Sequence, residues 1–300
     1  MSIRFTNDIL SRQTLFDLGN ITDKLSKTQN ELSSGKRINA PEDDPYGSGR
    51  AVSLRNELAD VQQYQVNIND ASAWTQTTDS ALGNVTDLLQ RARELTVQAA
   101  NGTQNQDSLN AISSEMTQIK ASLLAQANST YNGRYIFSGT ATNVQPYPSN
   151  AYAGTTLPVQ RLIAPGEVVQ VNTDGPTAFG TQAAGPPATK NVFDVMDDII
   201  GDLNSGNSSA LQTTALTEID ASFTTALNAR TTVGAISNRL DSQASRLSSQ
   251  ELSVTDLLSK TEDADMAKTL VTYSQTQTAY QAALQAGAKI IQPTLMDFLH

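Results

Sequence analysis

The stretch VGAISNRLDSQASRLSSQELSVTDL, residues 233–257, decides the fold. Val233, Ile236, Leu240, Gln243, Leu247, Gln250, Val254 and Leu257 follow one another at alternating steps of three and four. Such spacing places them on one stripe of a helix packed lengthwise against another helix. The two glutamines weaken the stripe and act as register-fixing polar positions. A narrow apolar stripe on a long helix builds a slender bundle, not a domain around a thick core.

The same rhythm recurs on both sides of this stretch. Leu18, Ile21, Leu25, Thr28 and Leu32 form an N-terminal seam, and Ser34-Gly35 supplies a helix stop with glycine as its left-handed cap. Residues 36–49 hold Pro41, Pro45, Gly47 and Gly49 and read as an ordered loop. From Gly49 to Ala100 only Gly83 interrupts good helix formers, predicting a helix of about 75 Å at 1.5 Å per residue. Asn101-Gly102 ends it. Asp107 is expected to cap a third helix carrying Leu109, Ile112, Met116, Ile119 and Leu123. Helical periodicity returns at Val192. The last segment shows Met266, Leu270, Tyr273, Gln277, Tyr280, Leu284, Gly287, Ile291 and Leu295, with Pro293 limiting its helix.

Between the helical regions the composition changes. Seven of the ten prolines lie between Pro146 and Pro187, and the β-prone pieces Leu157–Ile163 and Val168–Val171 sit among them. The reading is a small β-rich insert, with a linker as the alternative. The expected class is therefore mainly α: an elongated coiled-coil-like bundle formed by the N- and C-terminal regions, with a small β-rich insert. Three regions follow: 1–45 with 256–300 as a terminal helical domain, disordered in the monomer; 46–137 with 192–255 as a long-helix bundle; and 138–191 as the outer insert. The terminal segments each carry one narrow stripe, too little to offset about 1–2 kcal/mol of backbone entropy per residue without partners.

Composition removes most chemistry. The 300 residues carry 30 acidic and 20 basic side chains, a net charge of -10 that argues against nucleic acid as a partner. Cysteine is absent and the single histidine is His300, so thiol, Ser-His and His-ligated metal chemistry are not expected. No apolar run approaches the roughly 20 residues of a membrane helix, and the first thirty residues lack the pattern of a cleaved secretory signal. No catalytic, cofactor-binding or metal-ligating residue is assigned. The carboxylates Glu42-Asp43-Asp44 and Glu262-Asp263-Asp265 lack calcium-loop spacing and read as solvated loop acids or helix N-terminal acids. Gly47-Ser48-Gly49 has Val52 where a dinucleotide loop needs its third glycine. Trp74, the only tryptophan, lies mid-helix and reads as core.

Four blocks taken in order carry a resemblance. Leu32-Ser33-Ser34-Gly35-Lys36-Arg37-Ile38-Asn39, followed by Asp43-Asp44-Pro45, is similar to the signature after the first helix of flagellins and their hook-associated relatives. Gly133-Arg134-Tyr135-Ile136-Phe137-Ser138-Gly139 resembles the hook-associated branch, as do Thr261-Glu262-Asp263-Ala264-Asp265-Met266-Ala267 and the closing Leu295-Met296-Asp297-Phe298-Leu299. The resemblance covers both helical regions and leaves the insert aside. It implies a structural adaptor of the bacterial flagellum, joining hook to filament, exported unfolded and assembled as a ring. Its implied partners are other copies of itself, a neighbouring hook-associated protein, flagellin and a cytoplasmic export chaperone, with no nucleic acid and no membrane. It also implies an assembly interface of Leu18, Ile21, Leu25, Leu32, Leu270, Tyr273, Tyr280, Leu284, Ile291 and Leu295, and a structural loop holding Gly35, Asp43, Asp44 and Pro45. A flagellin filament subunit is the alternative within the family. A needle-tip or translocator coiled coil of another export system is the alternative outside it.

Overall fold

The computed structural model describes residues 2–101, 104–181 and 190–291. Four long helices account for most of them: α1 (Ser2–Ser34), α2 (Pro45–Ala100), α7 (Leu216–Glu262) and α8 (Met266–Ile291). Shorter elements lie between α2 and α7. In order they are α3 (Gln106–Ala127), β1 (Thr130–Tyr131), β2 (Arg134–Tyr135), β3 (Gln160–Ala164), β4 (Glu167–Gln170), α4 (Gly175–Phe179), α5 (Val192–Ser205) and α6 (Ser208–Ala210), with one π-helical turn at Leu211–Ala215. The chain is thus mainly helical with a small antiparallel insert, as its periodicity predicts. It divides into two compact units, residues 1–60 with 250–300 and residues 61–249.

Helix ends follow local chemistry. Asn191 caps α5 by accepting from the backbone N–H of Phe193 and Asp194, and Gly206 (φ 67°) closes it in the left-handed region. The cap of α3 is Asn105, not Asp107: the Asn105 side chain accepts from Ser108 N at 2.9 Å. Asp107 falls inside the first turn, where a negative charge still suits the helix dipole.

In the second unit the main core runs along α2, α3, α5 and α7, through Leu82, Leu89, Met116, Leu123, Ile199 and Val233. Trp74 belongs to it and meets the Tyr131 ring edge-on at 5.8 Å. The aromatic content of the chain is only 5%, yet much of it gathers in one knot. Tyr147 stacks within 4.8–5.5 Å of Phe193, Tyr152 and Phe179, and Phe137 meets Phe179 at 5.1 Å. Burial raises the Tyr147 hydroxyl pKa above its ordinary value and pushes that of Tyr152 up to about 12.

The block Gly133–Gly139 explains its own composition here. Asn132 and Gly133 both have positive φ and turn β1 into β2, the geometry a two-residue hairpin requires. Ile136 and Phe137 point into the core. A Cβ on Gly139 (φ 63°) would lie 1.8 Å from the Thr155 carbonyl oxygen, so only glycine fits.

The β3–β4 hairpin lies on a second core of Val61, Ile68, Ala71, Leu240 and Leu247, into which it sends Ile163 and Val169. The sequence-expected pieces Leu157–Ile163 and Val168–Val171 overlap these strands. Side-chain amides from both long helices hold β3. Asn67 donates to the Leu162 carbonyl at 2.8 Å, and buried Gln243 donates to that of Ile163 at 3.2 Å. Gln243 thus occupies a seam position and uses it to position the insert.

Candidate assembly interface

The first unit is built from α1, α8, the loop 35–44, the first part of α2 and the end of α7. Helices α1 and α8 pack against each other, and their most buried positions are small residues. Thr28 is buried on α1, and Thr269, Thr276 and Gly287 on α8. A Cβ at Gly287 would stand 3.4 Å from Thr14 Cγ2, so the helices approach closely there. Two of these threonines can face an apolar partner because their hydroxyls are already satisfied. Thr28 Oγ1 donates to the Lys24 carbonyl at 2.9 Å and Thr276 Oγ1 to that of Thr272 at 2.7 Å.

The large apolar side chains divide between this seam and an open flank. Leu18, Ile21, Leu25 and Leu32 share the α1 stripe with Thr28 and are half-buried, and so are Tyr273 and Tyr280, three and four residues from Thr276 on α8. Leu270 is 59% exposed and Leu284 44%, and Phe16 on α1 reaches 66%, with Ile9, Leu15 and Val271 also exposed. The expected stripe of α8 is therefore split. Its tyrosines lie on the half-buried side with Thr269 and Thr276, while its leucines lie on the open flank. Ile291 ends α8, with its side chain outside the described residues, and Leu295 lies outside them altogether.

Between α1 and α2 the loop is fully tied. Gly35, at φ 71°, donates to the Glu31 carbonyl at 2.9 Å and closes α1. Asp43 Oδ2 accepts from the N–H groups of Asn39 and Ala40 at 3.1 and 3.0 Å, while its Oδ1 pairs with Lys27 Nζ at 2.9 Å. The Lys27 bond, followed by those backbone donors, holds the Asp43 carboxyl below its ordinary pKa. Asp44 Oδ1 accepts from Gly47 N at 2.9 Å and caps α2, with Pro45 at the first helical position. A Cβ on buried Gly47 would come within 2.4 Å of the Asp44 carboxylate and 2.7 Å of Ile38 Cδ1.

The loop is then fastened to the joint between α7 and α8. Arg37 N donates to the Glu262 carbonyl at 2.7 Å, Ala264 N to the Gly35 carbonyl at 2.9 Å, and the Arg37 guanidinium to the Thr261 carbonyl at 2.8 Å. Glu262 is only 4% exposed, which corrects its reading as a solvated acid. Lys36 Nζ meets one of its carboxylate oxygens at 2.8 Å and Arg55 binds the other. A buried carboxylate without such partners would be strongly disfavoured. Sequence reading missed Lys36 and Arg55 because they lie more than 200 positions from Glu262 in the chain. Asp265, by contrast, is the expected helix-terminal acid, accepting from Lys268 N at 3.1 Å.

This arrangement offers a tied loop and an exposed apolar flank. Among the described residues no group of three or more acidic, histidine or cysteine side chains could hold a metal ion.

Comparison with known proteins fits that geometry. The model of the bacterial flagellin N-terminal helical region matches residues 5–142, and that of the C-terminal helical region matches residues 216–299. Flagellar hook-associated protein 3 of Escherichia coli K12 is 28% identical over 303 residues, covering 95% of this chain and 96% of its own. Flagellin of Bacillus subtilis is 27% identical over 288 residues, covering 94% of each. The crystal structure of the flagellar junction protein FlgL from Legionella pneumophila superposes with a TM-score of 0.60 over 73% of this chain and all of its own, at 17% identity, a likeness of fold. With both helical ends matched in order and the intervening fold shared, the chain belongs to the bacterial flagellin family.

Proposed function

We propose that this chain is the structural adaptor between flagellar hook and filament, assembled as a ring outside the cell, and not an enzyme. The observation that carries the reading is the α1–α8 pair. It leaves Phe16, Leu270 and Leu284 exposed on its open flank. An apolar flank of that kind suits burial between subunits, where each such side chain contributes about 1.5–3 kcal/mol. Leu18, Ile21, Leu25, Leu32, Tyr273 and Tyr280 complete the interface from its half-buried side, together with Ile291 and Leu295 beyond the described side chains. The clasp of Gly35, Asp43, Asp44 and Pro45 orients the pair. In this reading the terminal helices form an inner layer, the long-helix bundle a middle one and the insert an outer one. Flagellin and a hook-associated protein are the neighbours. Before export a chaperone covers the α8 flank, by the helix-in-groove capture its anchor spacing fits.

The near-complete, co-extensive similarity to hook-associated protein 3 supports the adaptor. A filament subunit is the second reading, favoured by equally extended similarity to a flagellin. The two separate by microscopy. Purified protein added to hook–basal bodies is expected to bind at the hook tip as a single short layer. Growth into a filament would establish the second reading, and no binding at all would sink both.

A further inference from the structure

The β3–β4 hairpin has two unlike faces. Ile163 and Val169 enter the core beneath it, whereas the outward face presents the cross-strand pair Leu162–Val168, both exposed, beside the pair Gln160–Gln170. Directly opposed residues of an antiparallel pair stand about 5 Å apart, so the two apolar side chains form one patch. Glu167 flanks it and accepts from both Arg239, at 2.8 Å, and Arg246, at 3.2 Å. Two guanidinium groups answer one carboxylate, leaving that edge positive. Elsewhere in the same unit, the outward side of α5 has the opposite character. Asp194, Asp197, Asp198 and Asp202 line it, with Glu218 nearby, and only Lys120 and Lys190 pair with these acids. Gly201 sits among them with open space where a Cβ would point.

We propose that the outward face of the β3–β4 hairpin on one copy of this chain docks on the acidic face of α5 on the next copy. The contact rests on the assembly reading above and deepens it, adding a second self-contact to that of the terminal helices. Charge complementarity names the occupant: a chain of net charge -10 repels its copies unless a positive edge meets a negative one. Because the two faces differ, the contact runs head to tail, and such a contact propagates from copy to copy, into a ring where the rotation closes.

Engineered cysteines test it cleanly, since the chain contains none of its own. Flagella carrying the full-length double variant Val168→Cys and Gly201→Cys are oxidised and run under denaturing conditions without reductant. Ladders of two, three and more copies are expected, whereas a mixture of the two single variants should stop at dimers. Adding Arg246→Glu should lower ladder yield by about tenfold, and adding Asp198→Lys in turn should restore it. Flagella that contain the chain but yield only monomer would overturn this contact and leave the adaptor reading standing. Cross-links only to a different polypeptide would overturn it too. Absence of the chain from flagella would overturn the adaptor reading and the contact with it.

Discussion

The two units bury their apolar surface in different ways. In residues 61–249 most large side chains turn inward, and Phe137, Tyr147, Phe179 and Phe193 gather in a knot. In residues 1–60 and 250–300, the terminal helices bury only small residues fully, their leucines and tyrosines are at most half-buried, and Phe16, Leu270 and Leu284 stay outside. One unit resembles a finished core, the other half of one. A side chain of the same type should therefore matter to stability in the first case and to association in the second.

Substitution with charge should expose that contrast most sharply. Ile119→Asp places a carboxylate in the closed core and should cost several kcal/mol, read as a lower urea midpoint of the monomer. Leu284→Asp, on the open flank, should shift that midpoint by less than about 0.5 kcal/mol yet abolish hook-tip binding and chaperone pull-down. Chaperone binding lost in Ile119→Asp but kept in Leu284→Asp would reverse the assignment. Truncation gives the same comparison without charge: Phe193→Ala should lose about 3–5 kcal/mol, and Phe16→Ala almost nothing in the monomer.

Smaller effects should appear at the clasp. Glu262→Gln leaves Lys36 and Arg55 facing a neutral group. Both cations are partly solvated, so a cost of about 1–2 kcal/mol is expected, seen as faster proteolysis of the 35–44 loop with the second unit unaffected. Asp44→Ala removes the cap of α2 and should cost about 1 kcal/mol. The mildest change is Asp43→Asn. A carboxyl whose pKa is depressed in the folded state stabilises above its unfolded pKa of about 4, and loses that contribution as pH falls through the folded value. The variant should thus be slightly less stable than the parent at pH 7, and the gap should close as pH falls through the depressed folded-state pKa. An unchanged gap at low pH would mean that Lys27 is not the cause.

What could be read in the sequence was whatever is periodic or local. The seam Val233–Leu257 predicts burial at eight positions, of which 233, 240, 243, 247 and 254 are buried and Ile236 half-buried, while Gln250 and Leu257, at its far end, are exposed. The Gly35 stop follows from backbone geometry alone, whereas α2 begins at Pro45 with Asp44 as its cap, four residues before the Gly49 start that the prolines and glycines of 36–49 suggest. Asn105 was missed beside Asp107 because both are good caps and a shift of two residues leaves the apolar phase unchanged. The buried Thr269 and Thr276 of α8 were passed over for the exposed Leu270 and Leu284, since periodicity ranks side chains by hydropathy and a threonine whose hydroxyl bonds its own helix can be buried as well. Glu262 was unreadable for a third reason. Its burial depends on two cations that only the folded chain brings near.

Trp74 is the sole tryptophan, and it is buried in the second unit against Tyr131. Its fluorescence is therefore a one-sided reporter, following the melting of residues 61–249 and silent about the terminal helices. Tyrosine emission watches both sides, since Tyr46, Tyr273 and Tyr280 lie in the first unit and the other five tyrosines in the second. A denaturant titration followed in the tryptophan band would then isolate the melting of residues 61–249 in a single cuvette, with no label attached.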